Sequence, residues 1–244
     1  GRAIVNLIGC EPDEKVSAFI SVKEFNDDHY VVMATEKGMV KKTKLSAYSN
    51  PRKKGIYAVE IRDGDKLIEA RVSTGDNDIL LGTRNGKSIR FSEEQIRASG
   101  RKTMGVKGIT LSSEDDRLVG MLLIKREGTV LVATEKGFGK RTEISQYRAQ
   151  KRGGKGVLTM KTTDKVGKMV TIKEVVDKDD LMIITNQGVL IRLPVAQIRS
   201  IGRATQGVKL IKLGEGTLVS SITRIMSEEE EDENNNTEST EPKE

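Results

Sequence analysis

The residue types that most often do covalent or metal chemistry are nearly absent from this chain. Its 244 residues hold one His (His29) and one Cys (Cys10). Zinc sites are built from three or four His, Cys or carboxylate ligands, so this pair makes none. One Cys forms no internal disulfide, which fits a reducing compartment. His29 follows Asp27 and Asp28 and reads as a solvent-exposed turn residue rather than a general base. Gly86-Lys87-Ser88 resembles the end of a phosphate-binding Walker loop. That loop needs its first glycine where Leu81 stands, and Gly82 misses by one position. Tyr30, Tyr48, Tyr57 and Tyr147 lie in β-type runs or at repeated positions, which marks them as core or sheet-edge residues rather than nucleophiles. Asp63-Gly64-Asp65 and Glu114-Asp115-Asp116 have the composition of ordinary turns.

The cations are the informative charged groups. Nine acidic residues and one Lys lie between Ser227 and Glu244, a net −8, so the chain's overall +6 becomes +14 over residues 1 to 226. A basic body with an acidic tail points to a polyanionic partner and to a tail that competes with it. The tail carries the low-complexity runs Glu228–Glu231 and Asn234–Asn236 and is expected to be disordered. Aromatic residues are 3% and Trp is absent, which argues against single-strand binding by base stacking and leaves Val, Ile, Leu and Met to build the core. No run of 18 apolar residues suggests a membrane span, and no signal sequence opens the chain. The first residue is Gly1 rather than Met, as expected of a fragment of a longer protein.

These cations are placed by an internal repeat. Thr-x-x-Gly occurs four times after an apolar run, at Thr35–Gly38, Thr83–Gly86, Thr134–Gly137 and Thr185–Gly188. Four positions after the glycine stands a basic residue: Lys42, Arg90, Arg141 and Arg192. Ten positions after it stands Tyr48, Ile96, Tyr147 or Ile198, and a second glycine follows at Gly55, Gly105, Gly156 and Gly207. A period of about 50 residues indicates a propeller, solenoid or array. The apolar run, short glycine turn and return run read as a β-hairpin. Two further strands per repeat, such as Gly207–Leu213 and Leu218–Ile225 around the turn Gly214-Glu215-Gly216, bring the unit to the size of one four-stranded propeller blade. The predicted repeats run 27–75, 76–126, 127–177 and 178–226, preceded by a half repeat over 1–24 whose Gly1–Leu7 aligns with the segment starting at Gly207. The expected fold is therefore all-β, one domain over 1–226 with about four and a half repeats, followed by the tail 227–244.

Basic residues cluster in the loop before each second glycine: Arg52-Lys53-Lys54, Arg101-Lys102, Lys151-Arg152 and Arg203. Lys42, Arg90, Arg141 and Arg192 extend the set if they point outward. Equivalent loops on equivalent repeats could neutralise successive phosphates of bent duplex DNA, through backbone contacts that carry little sequence information. The segment Gln150-Lys151-Arg152-Gly153-Gly154-Lys155-Gly156 sets three cations around a diglycine, a reasonable phosphate clamp. A propeller serving as a protein-interaction platform would instead show apolar or mixed loops. A small propeller hydrolase would need carboxylates or His converging on a channel, and no acidic position recurs in that way.

Gln150–Gly156 resembles the glycine box that marks the C-terminal domain of the DNA gyrase A family. The resemblance extends over residues 1–226 through Gly1–Leu7, the Thr-x-x-Gly hairpins, Gly100–Gly108 with Lys107, and Gly202–Val208. In that family the box lies in the first blade, upstream of the segment like Gly1–Leu7, so its counterpart is expected in a part absent here. The copy at 150–156 is then a box-like loop of a later blade. The resemblance implies a β-pinwheel, a propeller-like disc whose blades exchange strands, with duplex DNA wrapped on its basic rim in support of ATP-dependent negative supercoiling. It implies a non-catalytic domain without its own cofactor. The cleavage tyrosine, ATP and Mg²⁺ belong to the rest of gyrase A and to its partner gyrase B, in the bacterial cytoplasm. The related C-terminal domain of topoisomerase IV, which usually lacks the box, is the alternative within the class.

Overall fold

The computed structural model describes residues 14–52 and 55–226. Gly1–Leu7, Cys10, Lys53, Lys54 and the acidic tail lie outside the described residues.

Each Thr-x-x-Gly motif closes a β-hairpin. The four hairpins are β1 (Tyr30–Thr35) with β2 (Met39–Lys44), β4 (Asp78–Thr83) with β5 (Lys87–Ser92), β8 (Thr129–Thr134) with β9 (Phe138–Glu143), and β12 (Asp180–Thr185) with β13 (Leu190–Pro194). The motif's chemistry explains the turn. The glycine takes a positive φ, +82° at Gly38, which a β-carbon would disfavour. Its N–H donates to the Thr35 carbonyl at 3.0 Å, and the Thr35 hydroxyl accepts from the Met39 N–H at 3.2 Å. The hydroxyls of Thr83 and Thr185 do the same for Lys87 and Val189.

A third strand pairs antiparallel with the first strand of its own hairpin. These are β3 (Leu67–Ser73), β7 (Leu118–Ile124), β11 (Met169–Val175) and β15 (Val219–Ile225). In each pair the register slips at the motif threonine or beside it. The fourth strand comes from the following repeat: β6 (Val106–Lys107) lies beside β2, β10 (Val157–Leu158) beside β5, and β14 (Val208–Lys209) beside β9. The sheet orders are β3-β1-β2-β6, β10-β5-β4-β7 and β11-β8-β9-β14, with a three-stranded β13-β12-β15. This is the strand-exchanged, all-β pinwheel pattern. It also corrects one detail: Gly207–Leu213 and Leu218–Ile225 are not two strands of one hairpin, because only Val208–Lys209 pairs, and it pairs with the preceding sheet.

The exchange requires the second glycine of each repeat. A β-carbon on Gly105, Gly156 or Gly207 would lie 2.3, 2.3 or 2.5 Å from the backbone oxygen of Val40, Ser88 or Gly139, on the strand that receives the donated one.

The chain forms two compact units. Among the described residues, unit 1 comprises 14–52, 55–125 and Tyr147–Val157, and unit 2 comprises Arg126–Gln146 and 158–226. Unit 1 is centred on Val32, Val40, Ile79, Leu81, Ile89, Phe91 and Met121, and unit 2 on Leu131, Val175, Leu181, Ile183, Val195 and Ile222. Both cores are built almost wholly from aliphatic side chains, as the composition requires.

Candidate nucleic-acid interface

The four cations at the fourth position after the turn glycine share one cross-strand place, opposite Val32, Leu80, Leu131 and Met182. They do not form an outward stripe. Lys42 is 6% exposed: its ammonium donates to the Glu93 and Gly75 carbonyls, stands 3.6 Å from the Glu93 carboxylate and lies over the Tyr30 ring. Arg141 is 8% exposed; its Nε donates to the Ile198 carbonyl at 2.8 Å and its guanidinium pairs with Asp177. Arg90 pairs with Asp78 at 2.6 Å and donates to the Tyr147 carbonyl at 3.2 Å. Their acceptors Glu93, Tyr147 and Ile198 all belong to the next repeat, so these three cations join neighbouring repeats. A cation taken out of water needs such oxygens around it. Arg192 pairs with Asp180 and is the exposed member of the set.

The loops before the second glycine are tied down in a repeating way. Arg101, Arg152 and Arg203, spaced 51 residues apart, donate to the carbonyls of Tyr57, Lys107 and Leu158 at 3.2, 3.1 and 2.8 Å. All three are half-buried. A guanidinium has five N–H donors, and Arg101 uses one of them on the Tyr57 carbonyl, whereas Arg152 is anchored through two, to the Gln95 and Lys107 carbonyls. Arg52, Lys102, Lys107, Lys151 and Lys155 are exposed. Lys102 lies over the exposed Tyr57 ring.

The box-like loop is built onto the second repeat. The Arg152 N–H donates to the Gln95 side-chain oxygen at 2.8 Å, and its Nε to the Gln95 carbonyl at 2.9 Å. Thr110 fixes the carbonyls of Gly153 and Gly154 through its hydroxyl and its N–H. The Gly153 N–H is spent on the Gly108 carbonyl at 2.7 Å, so this amide is not a free phosphate donor. Gly153 and Gly156 have φ of +79° and +67°. At Gly156 the receiving strand also leaves no room for a side chain. The cations presented outward from this loop are Lys151 and Lys155.

Sequence reasoning missed a second recurring cation. Arg97, Arg148 and Arg199 directly follow the apolar residues Ile96, Tyr147 and Ile198 and are again 51 residues apart. The apolar residues are buried, 1–2% exposed, and pin the chain; the arginines after them are exposed. None of the three guanidinium groups has a hydrogen-bond or ion-pair partner among the described residues. The signal was present as a fixed offset from a position already in register.

The residues considered for chemistry do not converge on a catalytic arrangement. His29 is half-buried rather than solvent-exposed, with its ring Nδ1 2.9 Å from the Asn26 side-chain oxygen. Lys87 and Ser88 begin strand β5, with Ser88 fully buried, so the Walker-like tripeptide is hairpin. Asp65 and Asp116 accept from the N–H groups of Lys37 and Asn85 at the hairpin tips, a turn-tethering role. Among the described residues no group of three or more His, Cys, Asp or Glu could hold a metal ion, and no helix is long and apolar enough to cross a membrane.

Comparison with known proteins places this architecture. The DNA gyrase A protein of Staphylococcus epidermidis is 45% identical over 232 residues, 94% of this chain and 26% of that protein. Its counterpart in Staphylococcus aureus is 44% identical over 228 residues, 92% of this chain and likewise 26% of the relative. The chain thus spans about a quarter of the length of these relatives. Among solved structures, the C-terminal domain of DNA topoisomerase IV superposes with a TM-score of 0.87 at 26% identity, covering 93% of this chain and 71% of that one. The DNA gyrase A C-terminal domain gives 0.83 at 22% identity, covering 92% and 75%, a likeness of fold. The family model described as DNA gyrase C-terminal domain, beta-propeller, matches residues 29–74, 77–125, 128–175 and 179–225, one match for each hairpin and its third strand, and the chain belongs to that family.

Proposed function

We propose that this chain binds duplex DNA without sequence preference and wraps it, as a non-catalytic part of a gyrase-type topoisomerase that introduces negative supercoils. The observation that carries the reading is the recurrence of exposed arginines, Arg97, Arg148 and Arg199, unpaired among the described residues, at one position of successive repeats, beside loops that carry Lys102, Lys107, Lys151 and Lys155. Phosphates recur along DNA, and a repeat that sets a cation at a fixed place in each unit matches that periodicity. Bending 20–30 base pairs through 40–90° costs roughly 1–6 kcal/mol, which several phosphate contacts together offset. Strand cleavage and ATP hydrolysis are assigned to the remainder of gyrase A and to gyrase B, and no cofactor to this chain.

The test is a topology assay. The chain is bound to nicked circular plasmid, the nick is sealed with ligase, the protein is removed and the topoisomers are resolved. A linking-number shift that grows with protein supports wrapping. Retarded DNA with an unshifted distribution reduces the reading to binding alone, and no retardation at low salt refutes it. Removing Ser227–Glu244 takes away a net charge of −8 and should tighten binding at low salt; a truncated chain of unchanged affinity would show that the tail does not compete with DNA.

A further inference from the structure

Two lysines lie beneath the basic loops and take no part in the contacts above. Lys41 and Lys140, the third residues after Gly38 and Gly137, are 1% and 0% exposed. The Lys41 ammonium donates to the Ala58 carbonyl at 2.8 Å and to the Arg101 carbonyl at 2.5 Å. The Lys140 ammonium donates to the carbonyls of Gly202, at 2.6 Å, and Arg203, and to the Thr205 hydroxyl at 3.1 Å. No carboxylate pairs with either among the described residues. Burying a cation without a counter-ion is unfavourable, and packing does not require one. The second and fourth repeats place Ile89 and Ile191 at this position, and Ile89 is fully buried.

The alternation follows the loop that each strand receives. Ile89 faces the diglycine loop, where a β-carbon on Gly154 would touch its Cδ1 at 3.4 Å, and where Thr110 fixes the carbonyls. Lys41 and Lys140 face the two Gly-Arg-x-Thr loops, Gly100–Thr103 and Gly202–Thr205. In both, the threonine hydroxyl also turns back to the glycine carbonyl, at 3.0 Å.

We propose that Lys41 and Lys140 are positioning residues for DNA binding: each ammonium holds the arginine carbonyl of its loop inward and thereby presents the next N–H, of Lys102 or Ala204, to a phosphate oxygen. A planar trans peptide points its N–H opposite to its C=O, and a carbonyl held by a cation makes that N–H a stronger donor. Lys102 and Ala204 are both exposed. The buried charge thus reaches the surface through the peptide unit, in addition to the arginine side chains. This inference rests on the DNA-binding reading.

Burial pushes both amines down to about 8, and the neighbouring Arg101 and Arg203 push the same way. The other titratable group at Lys41 is the Tyr48 hydroxyl, which donates to the same Ala58 carbonyl and is held neutral by a pKa raised by burial. Arg97 and Lys41 both line a cavity of about 410 Å³. The charge at both sites is therefore lost as pH rises through about 8. A neutral amine keeps two N–H donors, fewer than the three oxygens around Lys140. Stability moves the opposite way. The unfolded lysines titrate near 10.5, so between about 8 and 10.5 the unfolded chain binds more protons and the contribution of these groups to stability rises with pH.

The experiment compares the wild-type chain with K41M, K140M and the double variant, reading affinity for a linear duplex from pH 7 to 9.5 at fixed salt, with thermal unfolding in parallel. Each substitution is expected to weaken binding about fivefold at pH 7, one charge-assisted contact. Wild-type affinity should fall about tenfold across the range while its melting temperature does not fall for this reason, and the double variant should lose this fall, keeping only the dependence that the amino terminus gives. The amino terminus also titrates here but is common to all four proteins. Parallel pH profiles for wild type and double variant would overturn the proposal. So would a flat wild-type profile, which needs no variant to fold. A wild-type chain that fails to bind at any pH would instead remove the DNA reading beneath it.

Discussion

Gly105→Ala is expected to destabilise the protein by about 3–5 kcal/mol, against about 1–2 kcal/mol for Gly55→Ala. Both glycines hold the same place in their repeats and both have left-handed backbones, with φ of +82° and +76°. The conformational penalty for a β-carbon is therefore shared. The surroundings differ. Around Gly55 no described residue lies within 4 Å of the added carbon, whereas at Gly105 it would sit 2.3 Å from the Val40 oxygen and 2.9 Å from the Lys41 Cβ. Val40 cannot yield, because it is 1% exposed and paired on both sides, with Ala34 in β1 and Val106 in β6. The expected consequence is release of β6 from β2, which also frees the loop 99–107 that Lys41 seats. Urea unfolding of the two variants measures the difference. Equal losses would mean that the donated strand is not held by the close approach of Gly105, and the same comparison applies to Gly156 and Gly207.

The hairpins were legible in the sequence because their signal is local. A threonine that caps a turn and a glycine with positive φ act within four residues, and the four copies share a register. The exchanged strand was harder to see, since nothing local says which sheet a short strand joins. Gly207–Leu213 reads as one long strand, but the N–H groups of Leu210 and Ile211 both turn to the Gly137 carbonyl, and Ile211 drops into the core of unit 2. The ladder ends after Lys209 because the chain there crosses the neighbouring hairpin turn. The direction of Lys42 and Arg141 was illegible for a related reason. Alternation along a strand assigns a face, but sheets packed on both faces bury both, and β1 shows five successive buried residues, Val31–Thr35. Arg97, Arg148 and Arg199 were missed because cations were sought as clusters within loops rather than as a fixed offset from Ile96, Tyr147 and Ile198.

Replacing those three arginines by alanine should lower the slope of log affinity against log salt by about 3 and weaken duplex binding about a hundredfold at low salt. The fold should be nearly untouched, since exposed substitutions away from packed features change stability by about 0.5 kcal/mol or less. Arg141→Met is the contrasting variant. Arg141 is also a repeated cation, but it is buried against the Ile198 carbonyl, so its loss should cost about 1–3 kcal/mol of stability and leave the salt slope unchanged. Measuring both quantities on both proteins separates cations that hold repeats together from cations that meet phosphate. If Arg141→Met lowers the slope by about one with melting unchanged, the buried position is a phosphate contact and the side chain must leave it to bind DNA. If the triple variant keeps the wild-type slope, the contacts lie instead in the loops of Lys102, Lys151 and Lys155, and the recurrence of the exposed arginines has another cause.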